Sequence, residues 1–351
     1  MSLYSTLATP SATRAVLEAH GLSTKKSLGQ HFLTNDAIVG KILDLANIRL
    51  GAKVLEVGPG IGTLTVALLA AGAEVLAIER DPALPAVLAE TCAEWEDHFT
   101  LLQMDALDVK PEDLVLAPSQ SEPFVPTKFV ANLPYAVAAT LVLEYFERFP
   151  SLEQATVMVQ AEVADRMMAQ PGSKDYGAYT VKLGLYAQPA GRFKVGPGNF
   201  FPPPRVDSAV IRLNRAGAPS SSNNNAEAFS STAVQVSSDM QDINALLASL
   251  SPEERTAAVT MADAAFANRR KTLANSCKTY FVGIQQLSLA GQGSSGSATP
   301  AAIEQRPPLT GAQIVEALPA IFEAAGIDPS ARGETLTLAD FITLGKELLK
   351  L

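Results

Sequence analysis

Cysteine is scarce in this chain: Cys92 and Cys277 are the only two in 351 residues. Far apart and without a second pair, they exclude a disulfide framework. They suit free thiols in a reducing, cytoplasmic setting, each most simply a buried, unreactive group. Long apolar runs are missing too. The richest stretch, Leu64 to Ile78, is interrupted by Gly72 and Glu74 and falls short of the ~18 or more residues that span a bilayer. Residues 1–10 carry neither the basic n-region nor the unbroken apolar segment of a secretory signal, so no membrane partner is expected. Positive charge is in deficit, with 27 Lys and Arg against 36 Asp and Glu and a formal net charge of −9. That weighs against nucleic-acid binding by bulk charge. Net charge describes the whole molecule rather than one face, however. The basic residues do gather locally, at Lys25 and Lys26, at Arg192, Lys194 and Arg205, and at Arg269, Arg270 and Lys271.

Apolar residues are plentiful at 47%, against 18% charged. A sizeable core is therefore expected, and the length suggests two domains. From Lys53 to about Asn214, short β-rich runs alternate with helical stretches. Lys53–Val57, Glu74–Ile78, Phe99–Gln103, Lys128–Ala131 and Thr156–Val159 read as strands. Helices are expected at 63–71, 137–149 and 161–168, and after Asp81, a candidate cap with Pro82 at the first position. Such alternation implies an α/β, Rossmann-like domain with a parallel sheet. A helical lead-in over Ile38, Val39, Ile42, Leu43 and Ala46 precedes it, with Asp36 as its expected cap. Residues 216–238 are rich in Ser, Asn and Ala, and a second soft stretch runs from 291 to 308. Met240, Ile243, Leu246, Leu247 and Leu250 share a helical face. Later helices are expected through Phe266 and Leu273, at 311–325 and at 338–351. The expected division is a first domain over 1–214, a flexible linker over 215–238 and a small all-helical domain over 239–351.

Glu56-Val57-Gly58-Pro59-Gly60-Ile61-Gly62 directly follows the first strand. Glycines such as Gly58 and Gly60 let the backbone turn sharply and approach a ligand, and ligands of open α/β sheets bind at the carboxyl ends of the strands. The third glycine comes one residue early for a dinucleotide fingerprint. Glu79 ends the second strand, where an acid can bind both ribose hydroxyls. Asp105 follows the third, where a carboxylate can accept from an adenine amino group. Three features at three successive strand ends suit a nucleoside ligand without a pyrophosphate, a description that S-adenosyl-L-methionine meets. No metal is expected.

Asn132-Leu133-Pro134-Tyr135 follows the fourth strand. The lone pair of an adenine amino nitrogen is delocalised into the ring. Accepting hydrogen bonds from both N–H groups localises that pair. The Asn132 side-chain oxygen and the Leu133 carbonyl are candidate acceptors. Pro134 fixes the backbone so that the Leu133 carbonyl points inward, and Tyr135 offers a face for the base. Such catalysis rests on proximity, orientation and electrostatics and needs no strong general base. In Asn199-Phe200-Phe201-Pro202-Pro203-Pro204-Arg205-Val206-Asp207-Ser208, Phe200 or Phe201 is either a second wall of the base pocket or a core aromatic under a proline loop.

With these residues in view, the chain resembles the ribosomal RNA adenine N6,N6-dimethyltransferases, above all the bacterial small-subunit branch. The resemblance runs from about Lys25 to Asn214 and resumes in the C-terminal helices. It rests on Gln30-His31-Phe32-Leu33, the glycine loop, Glu79, Asp105, Asn132 to Tyr135, Phe200 to Ser208, and Asn268-Arg269-Arg270-Lys271-Thr272-Leu273. The resemblance implies a class I methyltransferase fold. It implies that His31, where the family usually has Asn, borders S-adenosylmethionine together with Leu33, Gly58, Glu79, Asp105 and Asn132. It also implies that Tyr135 and Phe200 sandwich the target base. The implied reaction dimethylates two adjacent adenosines near the 3′ end of 16S ribosomal RNA, within an immature small ribosomal subunit, by a monomeric cytoplasmic enzyme. The soft stretches 216–238 and 291–308 then look like insertions. Three alternatives compete: a large-subunit RNA methyltransferase of the macrolide-resistance type, a non-catalytic assembly factor, and a nicotinamide oxidoreductase, which the glycine spacing disfavours.

Overall fold

The computed structural model describes residues 3–24, 30–114, 123–217, 238–284, 287 and 309–351. Lys25, Lys26, most of the expected linker and the stretch 291–308 lie outside the described residues. In chain order the elements begin with α1 (Pro10–Ala19), β1 (Phe32–Leu33), α2 (Asp36–Ala46), β2 (Lys53–Val57), α3 (Thr63–Ala70), β3 (Glu74–Glu79), α4 (Pro85–Thr91), β4 (Phe99–Gln103) and β5 (Lys128–Asn132). There follow α5 (Ala138–Arg148), β6 (Gln154–Gln160), α6 (Ala161–Met167), α7 (Ala178–Gly184), β7 (Ala187–Val195), β8 (Phe200–Phe201) and β9 (Ser208–Arg215). The chain ends in α8 (Ser238–Ser249), α9 (Pro252–Phe266), α10 (Leu273–Val282), α11 (Gly311–Ala325) and α12 (Leu338–Leu348).

The chain forms two compact units. The first holds a seven-stranded sheet in the order β4-β3-β2-β5-β6-β9-β7. Its first five strands are parallel, as the alternation of strand and helix requires. The sheet is not wholly parallel, however. β9 runs antiparallel to both β6 and β7, so the expected parallel sheet is corrected to a mixed one. β7 and β9 are joined directly by residues 196–207, which include β8, and an antiparallel neighbour needs no crossover helix. Helix α3 is buried from Thr63 through Leu69, as expected of a helix that is apolar on every side.

Two expected caps are displaced. Asn35, not Asp36, caps α2 by accepting from the Ala37 and Ile38 amides; Asp36 instead accepts from the Tyr4 and Ser5 amides. The Asp81-Pro82 pair makes a turn, in which Asp81 accepts from the Ala83 amide, and α4 starts only at Pro85.

The second unit is helical and takes in residues 165–186 together with α8–α12. Residues 165–186 fall inside the first expected domain, yet Tyr176 and Val181 belong to the helical core alongside Met261, Phe281, Phe322 and Phe341. The Tyr176 hydroxyl donates to the Leu336 carbonyl at 2.8 Å. Three of these helices start on capping boxes: Ser251 with Glu254, Thr310 with Gln313, and Thr337 with Asp340. Residues 267–272 interrupt the helical run expected through Phe266 and Leu273, so that Arg269, Arg270 and Lys271 stand exposed between α9 and α10. Among the described residues no helix is long and apolar enough to cross a membrane.

Candidate functional site

A cavity of about 550 Å³ opens at the carboxyl ends of β2, β3, β4 and β5. Its floor is the glycine turn. Gly58, Gly60 and Gly62 have φ of 68°, 62° and 89°, which L side chains rarely adopt. At Gly60 a side chain would also meet Phe32, 3.0 Å from the added carbon.

The acids stand where the strand ends place them. Glu79 is buried, and its Oε1 accepts the Asp81 amide at 2.7 Å. Burial pushes its carboxyl above the usual range. Asp105 accepts from the Leu107 amide at 3.1 Å and pairs with Arg80 at 3.1 Å. That ion pair is largely solvent-exposed, so it orients Asp105 more than it stabilises the fold. Glu56 is fully buried beside the cavity, and its Oε2 has no partner. Burial pushes its carboxyl up to about 8; the nearby Thr65 hydroxyl offsets part of that rise and the Glu79 carboxylate adds to it. A buried polar atom without a partner at a cavity wall marks a place where a polar ligand atom is favoured. This orphan oxygen, the glycine cradle and two further strand-end acids fit a polar nucleoside ligand.

Opposite the acids, β5 delivers Asn132. Its Nδ2 donates to the backbone carbonyl of His31 at 3.0 Å, which turns the amide so that Oδ1 is left as an acceptor. Leu133 is buried and held through its amide, which donates to the Met158 carbonyl. The Tyr135 hydroxyl lies 2.6 Å from Ser208 Oγ, and its ring stacks on that of His31 with centroids 5.8 Å apart.

Of the residues singled out in the sequence, His31, Leu33, Gly58, Gly60, Glu79, Asp105, Asn132, Leu133, Pro134 and Tyr135 all line this one cavity. Phe200 is not among these lining residues. β8 pairs antiparallel with β1, Leu33 opposite Phe200 and Phe32 opposite Phe201. Successive side chains in a strand point to opposite faces. Phe200 is turned into the core, 4% exposed, and packs in the cluster that contains Leu33, Val39 and Ile42. Phe201 is half-buried, with Arg14 over its ring at 5.0 Å.

Two polar residues escaped the sequence reading as parts of the site. Gln30 lines the cavity and donates from Nε2 to Asp81 Oδ2 at 2.9 Å. Asp81 in turn holds Glu79. The visible signal was the Asp-Pro pair two residues after a strand-end acid, which reads equally well as a helix start. Both cysteines are buried and free, and burial pushes each thiol up to about 12, which matches inert groups. Among the described residues no cluster of His, Cys, Asp and Glu is placed to hold a metal.

Residues 21–281 match the model of a family described as ribosomal RNA adenine dimethylase. The chain belongs to the ribosomal RNA adenine dimethylase family. It is 35% identical to a ribosomal RNA small subunit methyltransferase A of Corynebacterium jeikeium, over 97% of this chain and 96% of that one. It is 35% identical to the protein of the same name from Enterococcus faecalis, over 100% and 99% of the two chains. Among solved structures, a dimethyladenosine transferase from Plasmodium falciparum shares the fold. Its TM-score is 0.60 at 21% identity, covering 91% of this chain and 98% of that one. The family thus agrees with the resemblance drawn from the motifs, and the fold is a Rossmann-like class I methyltransferase sheet with an added helical unit.

Proposed function

We propose that this protein is an S-adenosylmethionine-dependent RNA methyltransferase that converts adenosines of small-subunit ribosomal RNA to N6,N6-dimethyladenosine. The observation that carries this reading is the pairing of an oriented acceptor, Asn132 Oδ1, with a cavity whose far side ends in Glu79 and Asp105. The relatives named above support the RNA substrate.

When bound, S-adenosylmethionine supplies an electrophilic methyl group on a sulfonium centre. The glycine turn at Gly58 and Gly60, with the backbone of His31 and Leu33, brings main chain close to that ligand. Glu79 would accept from its ribose hydroxyls and Asp105 from its adenine amino group. Asn132 Oδ1 and the Leu133 carbonyl take the two N–H groups of the target adenine. Holding both hydrogens restores the lone pair of N6 and aims it into the cavity. The nitrogen becomes acidic as it gains a carbon, and its proton leaves to water. Tyr135 supports the face of the base. Reaching such a cavity requires the adenosine to be splayed out of its stack.

The substrate RNA is taken to lie in a partly assembled small subunit, and the sites to be two adjacent adenosines near its 3′ end. The reading carries a monomeric enzyme of the cytoplasm, a reducing compartment that suits two cysteines without a disulfide. The three-part division at 214 and 238 is kept as a proposal for how RNA-contacting surface is added to the catalytic sheet. The exposed Arg205, Arg269, Arg270 and Lys271 are the phosphate-gripping residues in this reading, which offsets the acidic total. Replacement of Asn132 by Ala tests it: methylation of undermethylated small subunits should be lost while subunit binding persists. Undiminished methylation would overturn the assignment of the amine acceptor.

A further inference from the structure

The order of strands gives the cavity a cofactor side and a base side. From the edge inward it runs β4-β3-β2-β5-β6. Asp105 follows β4, Glu79 ends β3, the glycine turn follows β2, and Asn132 ends β5. One strand further on, ~4.8 Å beyond β5, β6 ends in Gln160. Gln160 lines the same cavity. It stands three strand spacings, about 14 Å, from the strand that carries Glu79, and so on the base side rather than the ribose side.

The ladder fixes the direction of its side chain. Gln160 is paired with Ser208 across the antiparallel strands β6 and β9. Directly opposed residues send their side chains to one face of the sheet, with Cβ atoms about 5 Å apart. The Ser208 side chain is fully buried, and its Oγ lies 2.6 Å from the Tyr135 hydroxyl. The Gln160 side chain therefore lies on the face that carries Tyr135. Its backbone is pinned on both sides. The Met158 carbonyl accepts the Leu133 amide at 3.1 Å, and the Ala161 amide donates to the Asp207 carbonyl at 2.9 Å. Gln160 is half-buried, and among the described residues its carboxamide has no hydrogen-bond partner.

In the proposed reaction the two hydrogens on N6 go to Asn132 Oδ1 and the Leu133 carbonyl. The ring nitrogens on either side of N6, N1 and N7, are then left as bare acceptors. A carboxamide nitrogen carries two hydrogens and can donate to such an acceptor. The Leu133 amide bonds to β6, so the Leu133 side of the base is the side that Gln160 faces. We propose that Gln160 is a specificity-determining residue for the target base. Its Nε2 donates to the adenine ring nitrogen next to N6 on the Leu133 side, N1 or N7. This rests on the proposed adenine methylation and deepens it. A base that presents a C–H or N–H at that place leaves the donor unpaired inside a closed site, and is rejected for that reason.

The test compares wild type with Gln160→Ala, and with Gln160→Glu, which keeps the length and, ionised, has no hydrogen to donate. The substrates are small subunits reconstituted with adenosine, 1-deazaadenosine or 7-deazaadenosine at both target positions. Methyl incorporation gives kcat/KM, and calorimetry gives S-adenosylhomocysteine affinity. On adenosine, both variants should lose about tenfold in kcat/KM, the effect of one hydrogen bond in a closed site. S-adenosylhomocysteine affinity should stay within about twofold. Each analogue also changes the reactivity of N6, but equally for every form of the enzyme, so the ratio of wild type to Gln160→Ala isolates the contact. That ratio should fall from about ten to about one on one analogue and stay near ten on the other. Unchanged kcat/KM in Gln160→Ala, a ratio that persists on both analogues, or a parallel loss of S-adenosylhomocysteine binding would overturn the assignment. A wild-type chain that methylates no adenosine would overturn the reading of the reaction instead.

Discussion

Asn132 and His31, 101 residues apart, are joined by a 3.0 Å hydrogen bond from the amide nitrogen of one to the backbone oxygen of the other. The bond decides which end of the Asn132 side chain is an acceptor. Asp at this position has no hydrogen to donate, and its charge is repelled by the His31 carbonyl. Asn132→Asp should therefore lower the single-turnover methylation rate by on the order of 100-fold, the effect of losing one well-aimed polar group in an active site. A variant within threefold of wild type would show that the orientation does not matter.

Glu79 is held at one remove. Asp81 receives Gln30 on its side chain and gives its amide to Glu79. Asp81→Ala removes the anchor for Gln30 and loosens the turn that presents the amide. Calorimetry with S-adenosylhomocysteine should show about tenfold weaker binding, within the range of a hydrogen bond to a charged group. Gln30→Ala should add little in that background, because the two residues share one interaction.

Burial of Glu56 sets a pH dependence. The folded carboxyl keeps its proton up to about 8, whereas its ordinary value is 4.5. A group whose value is raised on folding contributes stability that is full below the lower value and is lost as pH rises through the upper one. The urea midpoint of wild type should thus fall between pH 5 and pH 9, and Glu56→Gln should flatten that slope. At pH 9 the variant should be the more stable of the two. Equal slopes would mean that Glu56 is ionised in the folded protein.

The parts of the site legible in the sequence are those fixed by strand ends. A buried strand followed by glycines, and acids at the next two strand ends, declare themselves within a few residues. The five parallel strands and the C-terminal helices are legible for the same reason, since periodicity is local. β1 and β8 are not, being two residues each and existing only through their mutual pairing. That pairing sets the facing of Phe200, so the sequence alone left two aromatics equivalent that the fold separates. The antiparallel return of β9 and the docking of residues 165–186 with the later helices likewise depend on contacts distant in sequence. The cap of α2 shows a finer limit: the adjacent Asn35 and Asp36 compete for it, and the tertiary partners of Asp36 choose.

Gly345 lies inside α12, where Ala would ordinarily add about 1 kcal/mol of helix stability. Here an added carbon would stand 2.6 Å from the Ala258 amide nitrogen and 2.9 Å from its Cα, both backbone atoms of α9. Overpacking of that kind costs about 1–3 kcal/mol, so the loss outweighs the gain. Gly345→Ala should lower the thermal midpoint of the helical unit by a few degrees. A rise would mean that the two helices separate freely.

The central claim is that the cavity beside Asn132 methylates adenine N6 in small-subunit ribosomal RNA. Mass spectrometry of that RNA, after reaction of undermethylated subunits with isotopically labelled S-adenosylmethionine, tests it most directly. Two adjacent N6,N6-dimethyladenosines near the 3′ end, each carrying two labelled methyl groups, are predicted. Label found only in large-subunit RNA, or in neither, would contradict it.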